Sequence, residues 1–482
     1  MSLKGRLRNG LATGLLLWTP LALLPAKPAA ADTLMEALAK AYASNPNLAA
    51  EQANLRAIDE SLPQADAQRR PTITGQANYG IQPQSTNIKS GSTTGTGQSN
   101  GGVLPQSTKK THYSTLYPYS ASIDLTQPLW TGGRADASIN QANYQIKAGR
   151  ANLVNEEETI LLQAATAYFD VYNNQAVLDL AINNVRVLTQ ALDEADARFK
   201  AGLATQTDVA QADARLQSGF ADQRQAEANL TNSQAVYRNA VGNWPGVLKP
   251  QPPAAQLPGT AEETVARAIV ANPQVLNAQA NQEASSAGVD VADAQLMPSI
   301  ALTGLILQAN NQQKKHDWQT EGQALITLTV PIYQAGAEYS KIRQAKETLG
   351  QTKNQVDVAI RLTSQNATQA WQNLEAARAK ITSFQAAVKA NNIAYAGLVE
   401  ENRVGTRTTF DVLQGQQDLF GSEVSLVNAQ HDEAVSSYQI KAVIGELTAE
   451  QIGLRVKLYN PQAHYDAVKN KWIGTTPPPE TK

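Results

Sequence analysis

One plan is written twice into this chain of 482 residues. The segment from Asn45-Pro46 to Gln52 and Asn54 recurs as Asn272-Pro273 to Gln279 and Asn281, an offset of 227 positions. Pro71 and Ile73 match Pro298 and Ile300 at the same offset. Further on the offset is 203: Pro128, Gly133 and Gln141 match Pro331, Gly336 and Gln344, and Gly202, Thr205, Asp208 and Gly242 match Gly405, Thr408, Asp411 and Gly445. The first half therefore carries 24 more residues between Ile73 and Pro128. Matches at fixed offsets over so long a stretch mark a structural duplication.

Each half predicts the same elements. A helix over 34–69, and its counterpart over 262–296, must stop before Pro71 or Pro298, because the residue preceding a proline is pushed out of helical geometry. A very long helical stretch covers 134–200 or 337–402. A Gly-containing break follows, and a last helix returns to 241 or 445. In the first long stretch Leu162, Ala165, Phe169, Tyr172, Ala176 and Leu180 recur at coiled-coil spacing. At about 1.5 Å per residue such a helix reaches roughly 100 Å, longer than a compact domain needs. Periodicity alone would equally suit a secreted filament subunit of the flagellin type. The joint 243–260, NWPGVLKPQPPAAQLPGT, cannot be helical. The chain thus divides into a leader (1–31), a first repeat (32–242) with its hairpin at 72–127, the Pro-rich joint (243–260), a second repeat (261–445) with its hairpin at 299–331, and a C-terminal region (446–482). The tail of that region from Thr475 onward has no core-forming content and is expected to be flexible.

Between the helices lie four short alternating segments: 72–80, 117–127, 299–307 and 323–331. In the second, Tyr117, Tyr119, Ala121, Ile123 and Leu125 alternate with Pro118, Ser120, Ser122, Asp124 and Thr126. In the fourth, Ala324, Ile326, Leu328 and Val330 alternate with Leu325, Thr327 and Thr329. Alternation alone also describes half-buried strands of a soluble domain. Their length of about 9–11 residues, however, is what a tilted strand needs to cross hydrocarbon. Trp130 and Tyr333, at equivalent positions past the strands, suit one aromatic belt, and Tyr117 and Trp318 the opposite rim. Polar loops, 81–116 and 308–322, join the strands of each pair.

The leader decides the compartment. Lys4, Arg6 and Arg8 precede an apolar stretch from Leu11 to Leu24, followed by Ala29-Ala30-Ala31. That is the pattern of a secretory signal cleaved after Ala31; as a membrane anchor the stretch is too short for a hydrocarbon layer of about 30 Å. No later apolar run is long enough to span a membrane as a helix. Four strands cannot seal a barrel, and lipid does not tolerate an open sheet edge, so the chain must associate. Two copies would make eight strands with a filled interior, and three would make twelve with a lumen.

With no cysteine, the chain has no thiolate ligand, no cysteine nucleophile and no site for an N-terminal lipid. Its 40 Lys+Arg against 42 Asp+Glu give nucleic-acid binding no support. His112, His316, His431 and His464 show no metal-ligand spacing and read as solvated. Trp371 and Tyr168, matched at offset 203, read as packing residues. No nucleophile–base constellation or phosphate loop is present, so no enzyme, cofactor or metal is implied.

At this point the chain resembles the TolC family of outer-membrane exit ducts, across essentially its whole length after the leader. The resemblance is carried by the duplication, by RRPTI and LMPSI, by TQPLWTGGR and TVPIYQAGA, and above all by FKAGLATQTDVAQA (199–212) and VGTRTTFDVLQGQQDLF (404–420). It implies a mostly α fold with membrane β: a homotrimeric channel-tunnel whose twelve-stranded barrel, four strands per chain, continues into a long α-helical barrel. The Pro-rich joint and 446–472 would form an equatorial belt. The implied partners are a periplasmic adaptor, an inner-membrane ABC or proton-driven transporter and outer-membrane lipid. The family's cargo is proteins or small toxic compounds.

Asp208 and Asp411 each follow a helix break by about a turn, where three chains would gather six carboxylates at the end of a tube. Such a ring attracts cations and repels anions. Helix capping is the simpler role for the same residues. In the family's pattern the positions of Asp208 and Arg407 form a latch between neighbouring coiled coils, and that of Asp411 lines a periplasmic constriction. Where the family has a second ring aspartate this chain has Gln414, and where it has a latch tyrosine, Asn402. Outside the resemblance, Arg407 reads as a solvated surface pair.

Overall fold

A computed structural model describes residues 33–89 and 109–478. The expected leader and the Gly-rich stretch 91–102 lie outside the described residues. The chain opens with α1 (Leu34–Ser44), α2 (Pro46–Asp59) and α3 (Ser61–Asp66). The second repeat opens with its counterparts, α6 (Ala261–Ala271) and α7 (Pro273–Asp293). The single helices expected over 34–69 and 262–296 are therefore broken at both Asn-Pro pairs. The reason is local: Asn45 and Asn272 are extended N-caps whose side chains accept from the N–H groups of Asn47 and Gln274, with proline as first helical residue.

The strands are β1 (Thr72–Tyr79), β2 (Gln82–Lys89), β3 (Lys109–Leu116), β4 (Tyr119–Trp130), β5 (Ser299–Asn310) and β6 (Trp318–Thr329). One antiparallel sheet has the order β1-β4-β5-β6, so the two repeats meet at its centre through β4 and β5. Of the loop expected over 81–116, the described residues 82–89 and 109–116 are strand instead. β2 pairs with β3 in the register that β1 and β4 set, and the Gly80 N–H donates to the Pro118 carbonyl (2.9 Å) where the two ladders meet. This region's polar residues hide the alternation on which a sequence reading depends. The shorter turn, 311–317, closes β5 onto β6.

Below the sheet run α4 (Arg134–Lys200), α5 (Gln206–Val241), α8 (Ala337–Arg403) and α9 (Thr409–Val443). The two of 67 residues each extend about 100 Å. No helix among the described residues is long and apolar enough to cross a membrane. The buried seam of α4 includes Ala165 and Phe169 of the expected stripe, with Leu162 packed against it, and is widened by Leu161, Ala164, Tyr168, Val171, Leu178, Ala181 and Leu188; Tyr172 is exposed. With α1, α5, α9 and the loop 447–454 it forms the main core. Tyr168 is wholly buried and donates to the Lys249 carbonyl (2.7 Å), while Trp371 packs half-buried beside Leu374 and Ile440.

The duplication persists in space. Gly242 and Gly445 end the returning helices at φ +91° and +77°, against Ser44 and Ala271 of their own repeats. A Cβ at Gly445 would stand 2.5 Å from the Ala271 carbonyl oxygen, whereas one at Gly453, at φ +70° in the same loop, would meet nothing within 4 Å. Gly453→Ala is expected to cost only the backbone strain, about 1–2 kcal/mol. Gly445→Ala adds a collision with backbone and is expected to cost about 2–4 kcal/mol. Thermal unfolding of the two variants separates these contributions.

Two adjacent glutamates on α4 hold this loop. Glu157 accepts from the Ala449 N–H at 2.6 Å, and Glu158 accepts from the Leu447 N–H. Burial pushes the Glu158 carboxyl up to about 8, against the opposing effect of that backbone bond. A folded pKa above the unfolded value of 4.5 makes this stabilisation complete below pH 4.5 and lost as pH rises through 8. Glu158→Gln keeps the acceptor and removes the charge. Its unfolding free energy is expected to match the parent's near pH 5 and to exceed it at pH 8 by about 3 kcal/mol, read as a higher melting temperature at pH 8 alone.

Helix α10 (Pro461–Val468) carries His464, whose Nδ1 is 3.0 Å from the carboxylate of fully buried Asp59. His431 lies 2.7 Å from Asp170, across α9 and α4. Burial opposes its protonation, but the carboxylates of Asp170 and Asp432 outweigh it and raise its pKa. The expectation that these two histidines are solvated is thus wrong: each joins distant segments. His316 is exposed in the 311–317 turn, and the side chain of His112 lies outside the described residues.

Candidate functional site

The register gives the sheet two unlike faces. One carries the cross-strand rows Ile73–Leu125–Gly304–Ala324 and Gly75–Ile123–Ile306–Gly322, then Leu302–Ile326 and Ile300–Leu328. The other carries Thr74–Asp124–Leu305–Gln323 and Gln76–Ser122–Leu307–Glu321. Ser122 donates to the Asp124 carboxylate at 2.9 Å. The apolar face is bare in the single chain, with Ile326 71% exposed. A sheet with one face apolar and the other polar and charged is what a wall between lipid and a wet lumen requires.

Aromatic residues bound the apolar face. The far row is Tyr79–Tyr119–Asn310–Trp318, and at the helical end a bulge at Pro128 sets Trp130 against Ile300. Tyr333, 77% exposed, follows β6 before α8 begins. Tyr117, itself exposed, lies two residues before β4. A period of two is a sequence signal for the far row, since it puts Tyr79 on the face of Ile73 and Tyr119 on that of Ile123. β4 has 12 residues. At about 3.4 Å each and a tilt near 40° it rises roughly 30 Å, the thickness of a hydrocarbon core.

At the opposite end both long helices turn by the same device. Gly202 and Gly405, at φ +74° and +84°, end α4 and α8. The N–H groups of Leu203 and Thr406 reach back to the carbonyls of Arg198 and Glu401 (2.8 and 2.9 Å), the Schellman arrangement. Thr205 and Thr408 then cap α5 and α9 in reciprocal capping boxes with Asp208 and Asp411. The Thr205 N–H donates to Asp208 at 2.8 Å, and the Thr408 N–H to Asp411 at 3.0 Å. These backbone bonds hold both carboxyls below the usual range. Chain reversal therefore accounts for the repeated Gly-x-x-Thr-x-x-Asp.

Two arginines join the helical hairpins at this tip. Arg198 donates to the side-chain oxygen (2.5 Å) and the backbone carbonyl (2.9 Å) of Asn402. Arg215 donates to Gln414 (3.2 Å), which in turn donates to Asp418 (2.9 Å). Asn402 also donates to the Arg407 carbonyl (2.9 Å), while the Arg407 guanidinium pairs with exposed Glu401 (3.0 Å). Nearby, Gln416 donates to buried Asn184 (3.1 Å).

A long helical hairpin pair on a two-faced sheet has close relatives. The family model described as "Outer membrane efflux protein" matches residues 37–243 and 264–446. The chain belongs to the outer membrane efflux protein family. It is 34% identical over 457 residues to outer membrane efflux protein BepC of Brucella suis biovar 1, covering 94% of each chain. It is 26% identical to outer membrane protein TolC of Escherichia coli K12, covering 88% of this chain and 84% of that protein. The solved outer-membrane channel OprN superposes with a TM-score of 0.72 at 18% identity, covering 86% of this chain and 89% of that one.

This efflux protein is thus an outer-membrane exit duct of the TolC type, with its helical tunnel in the periplasm, and its family is one of ducts rather than enzymes. A filament subunit is excluded by that membership. Within one chain, Asp208 and Arg407 do not meet: the first is bonded to Thr205 and the second to Glu401. Asn402 and Gln414 are held by Arg198 and Arg215, which the sequence reading missed. A signal existed: at offset 203 Arg198 stands opposite Glu401 and Arg215 opposite Asp418, charge reversals that suit pairing between the two repeats.

Proposed function

We propose that three copies close a twelve-stranded barrel, β6 of each pairing antiparallel with β1 of the next, and that this duct carries cargo from an inner-membrane transporter through a periplasmic adaptor to the exterior. One observation carries the reading: an apolar-faced sheet whose outer strands, β1 and β6, each have a neighbour on one side alone among the described residues. Such edges cannot persist in hydrocarbon, where no water satisfies their N–H and C=O groups. Eight strands would fill their own interior, whereas twelve leave the lumen that Asp124, Gln76 and Glu321 suit.

At the periplasmic end Asp411 and Gln414 line the constriction in this reading, and Asp208, Arg407 and Asn402 bias it closed across neighbouring subunits. The exposed guanidinium of Arg407 supports this role, being paired among the described residues only with an equally exposed carboxylate. Its partner can be exchanged at little cost when another chain presents one.

The cargo is proteins exported by an ABC transporter and small toxic compounds. A strain lacking this chain is expected to lose a secreted protein from its medium and to become sensitive to amphiphilic toxic compounds. Sensitivity with an unchanged secreted protein set would assign the duct to a proton-driven efflux pump instead.

A further inference from the structure

Beyond α10 the chain climbs to the base of the sheet. Arg70, two residues before β1, is gripped by Asp66 (3.0 and 2.6 Å) and donates to the Lys471 carbonyl at 2.9 Å. Its guanidinium lies 4.7 Å from the centroid of the Trp472 ring. The Lys471 ammonium closes the turn on the Thr476 carbonyl (2.5 Å). The backbone here is pinned, yet Trp472 is 65% and Ile473 90% exposed.

The level of this pair in the molecule is what gives it meaning. Antiparallel topology puts all four helix–strand passages at one end of the sheet. Exposed Trp130, Met297 and Tyr333 lie at three of them, and Arg70 at the fourth. An arginine reaches about 6–7 Å from its Cα, so the Trp472 ring sits within roughly 12 Å of the Cα of Arg70, two residues before the first strand. An indole there has the amphipathic character that aromatic belts use at the headgroup level.

We propose that Trp472 and Ile473 form a further membrane anchor, seated among the phospholipid headgroups of the periplasmic leaflet and continuous with the belt of Trp130 and Tyr333. Through Arg70 the anchor ties the C-terminal segment to the strand base. It rests on the bilayer lying across the aromatic-bounded strands.

Because the chain has no cysteine, single-site spin labelling needs no background removal. Ile473→Cys, Ile332→Cys at the belt and Gln312→Cys in the 311–317 turn are each labelled in the full-length protein in phosphatidylcholine nanodiscs. Collision with oxygen is then compared with collision with a water-soluble nickel chelate. The expected result is oxygen-dominated relaxation at 473 and 332, and nickel-dominated relaxation at 312. If 332 is oxygen-dominated while 473 favours nickel, the pair faces water and the anchor is refuted. Low collision with both reagents at 473 would mean burial against a neighbouring subunit and would refute it equally. Nickel dominance at 332 would displace the bilayer itself, and the anchor would fall with that placement.

Discussion

Ile123→Arg is expected to abolish accumulation of the assembled protein in the outer membrane, while the adjacent Ser122→Arg is expected to leave it near the parental level. The two positions share a strand, a depth and a substitution. They differ only in face: Ile123 stands in the row Gly75–Ile123–Ile306–Gly322, and Ser122 in the row with Gln76, Leu307 and Glu321. A cation on the lipid face near the bilayer middle costs about 2–4 kcal/mol, and a trimer would bear that cost three times. At Ser122 the new guanidinium would meet water and the carboxylate of Asp124, already a neighbour of that side chain. Outer-membrane fractionation followed by unheated gel electrophoresis reads both variants. Loss in the serine variant with survival of the isoleucine variant would reverse the faces.

The second large effect is expected at the other end. Arg407→Ala and Asp208→Ala should each raise single-channel conductance in planar bilayers, because closure rests on a balance of a few kcal/mol and about 1.4 kcal/mol changes a population ratio tenfold. Asp208 is also half of a capping box, so losing it weakens the start of α5 by about 1 kcal/mol. Thr205→Ala removes the cap and keeps the carboxylate. If that variant conducts like Asp208→Ala, the aspartate acts on its helix alone; if it conducts like the parent, the carboxylate acts across subunits. Asp208 and Asp411 ionise below the usual range. Their contribution to tip stability is therefore present at neutral pH and lost only as pH falls through those depressed values.

Much of the architecture was legible because it depends on periodicity and punctuation. Pro71 and Pro298 stop helices, Gly202 and Gly405 turn them, and a period of two puts Ile326 and Thr327 on opposite faces. The duplication then tested each reading against its copy. The breaks at Asn45 and Asn272 do not show in the pattern, since helical periodicity runs through Asn-Pro and only the cap betrays the boundary. β2 and β3 escaped because a strand such as QPQSTNIK has no apolar side to announce it. The bonds from Arg198 to Asn402 and from Arg215 to Gln414 join residues about 200 positions apart. Local pattern carries no such information, though the reversed charges at matched positions hinted at it. His431 and His464 look solvated in the sequence for the same reason: their carboxylate partners, Asp170 and Asp59, lie far away along the chain.

The lumen depends on how many chains share one sheet. Native mass spectrometry of the detergent-extracted protein measures that number directly. Three copies of the processed chain, holding together until the detergent micelle is stripped away, is the predicted result. A single copy, or a pair, would leave no room for a water-filled passage and would contradict the account.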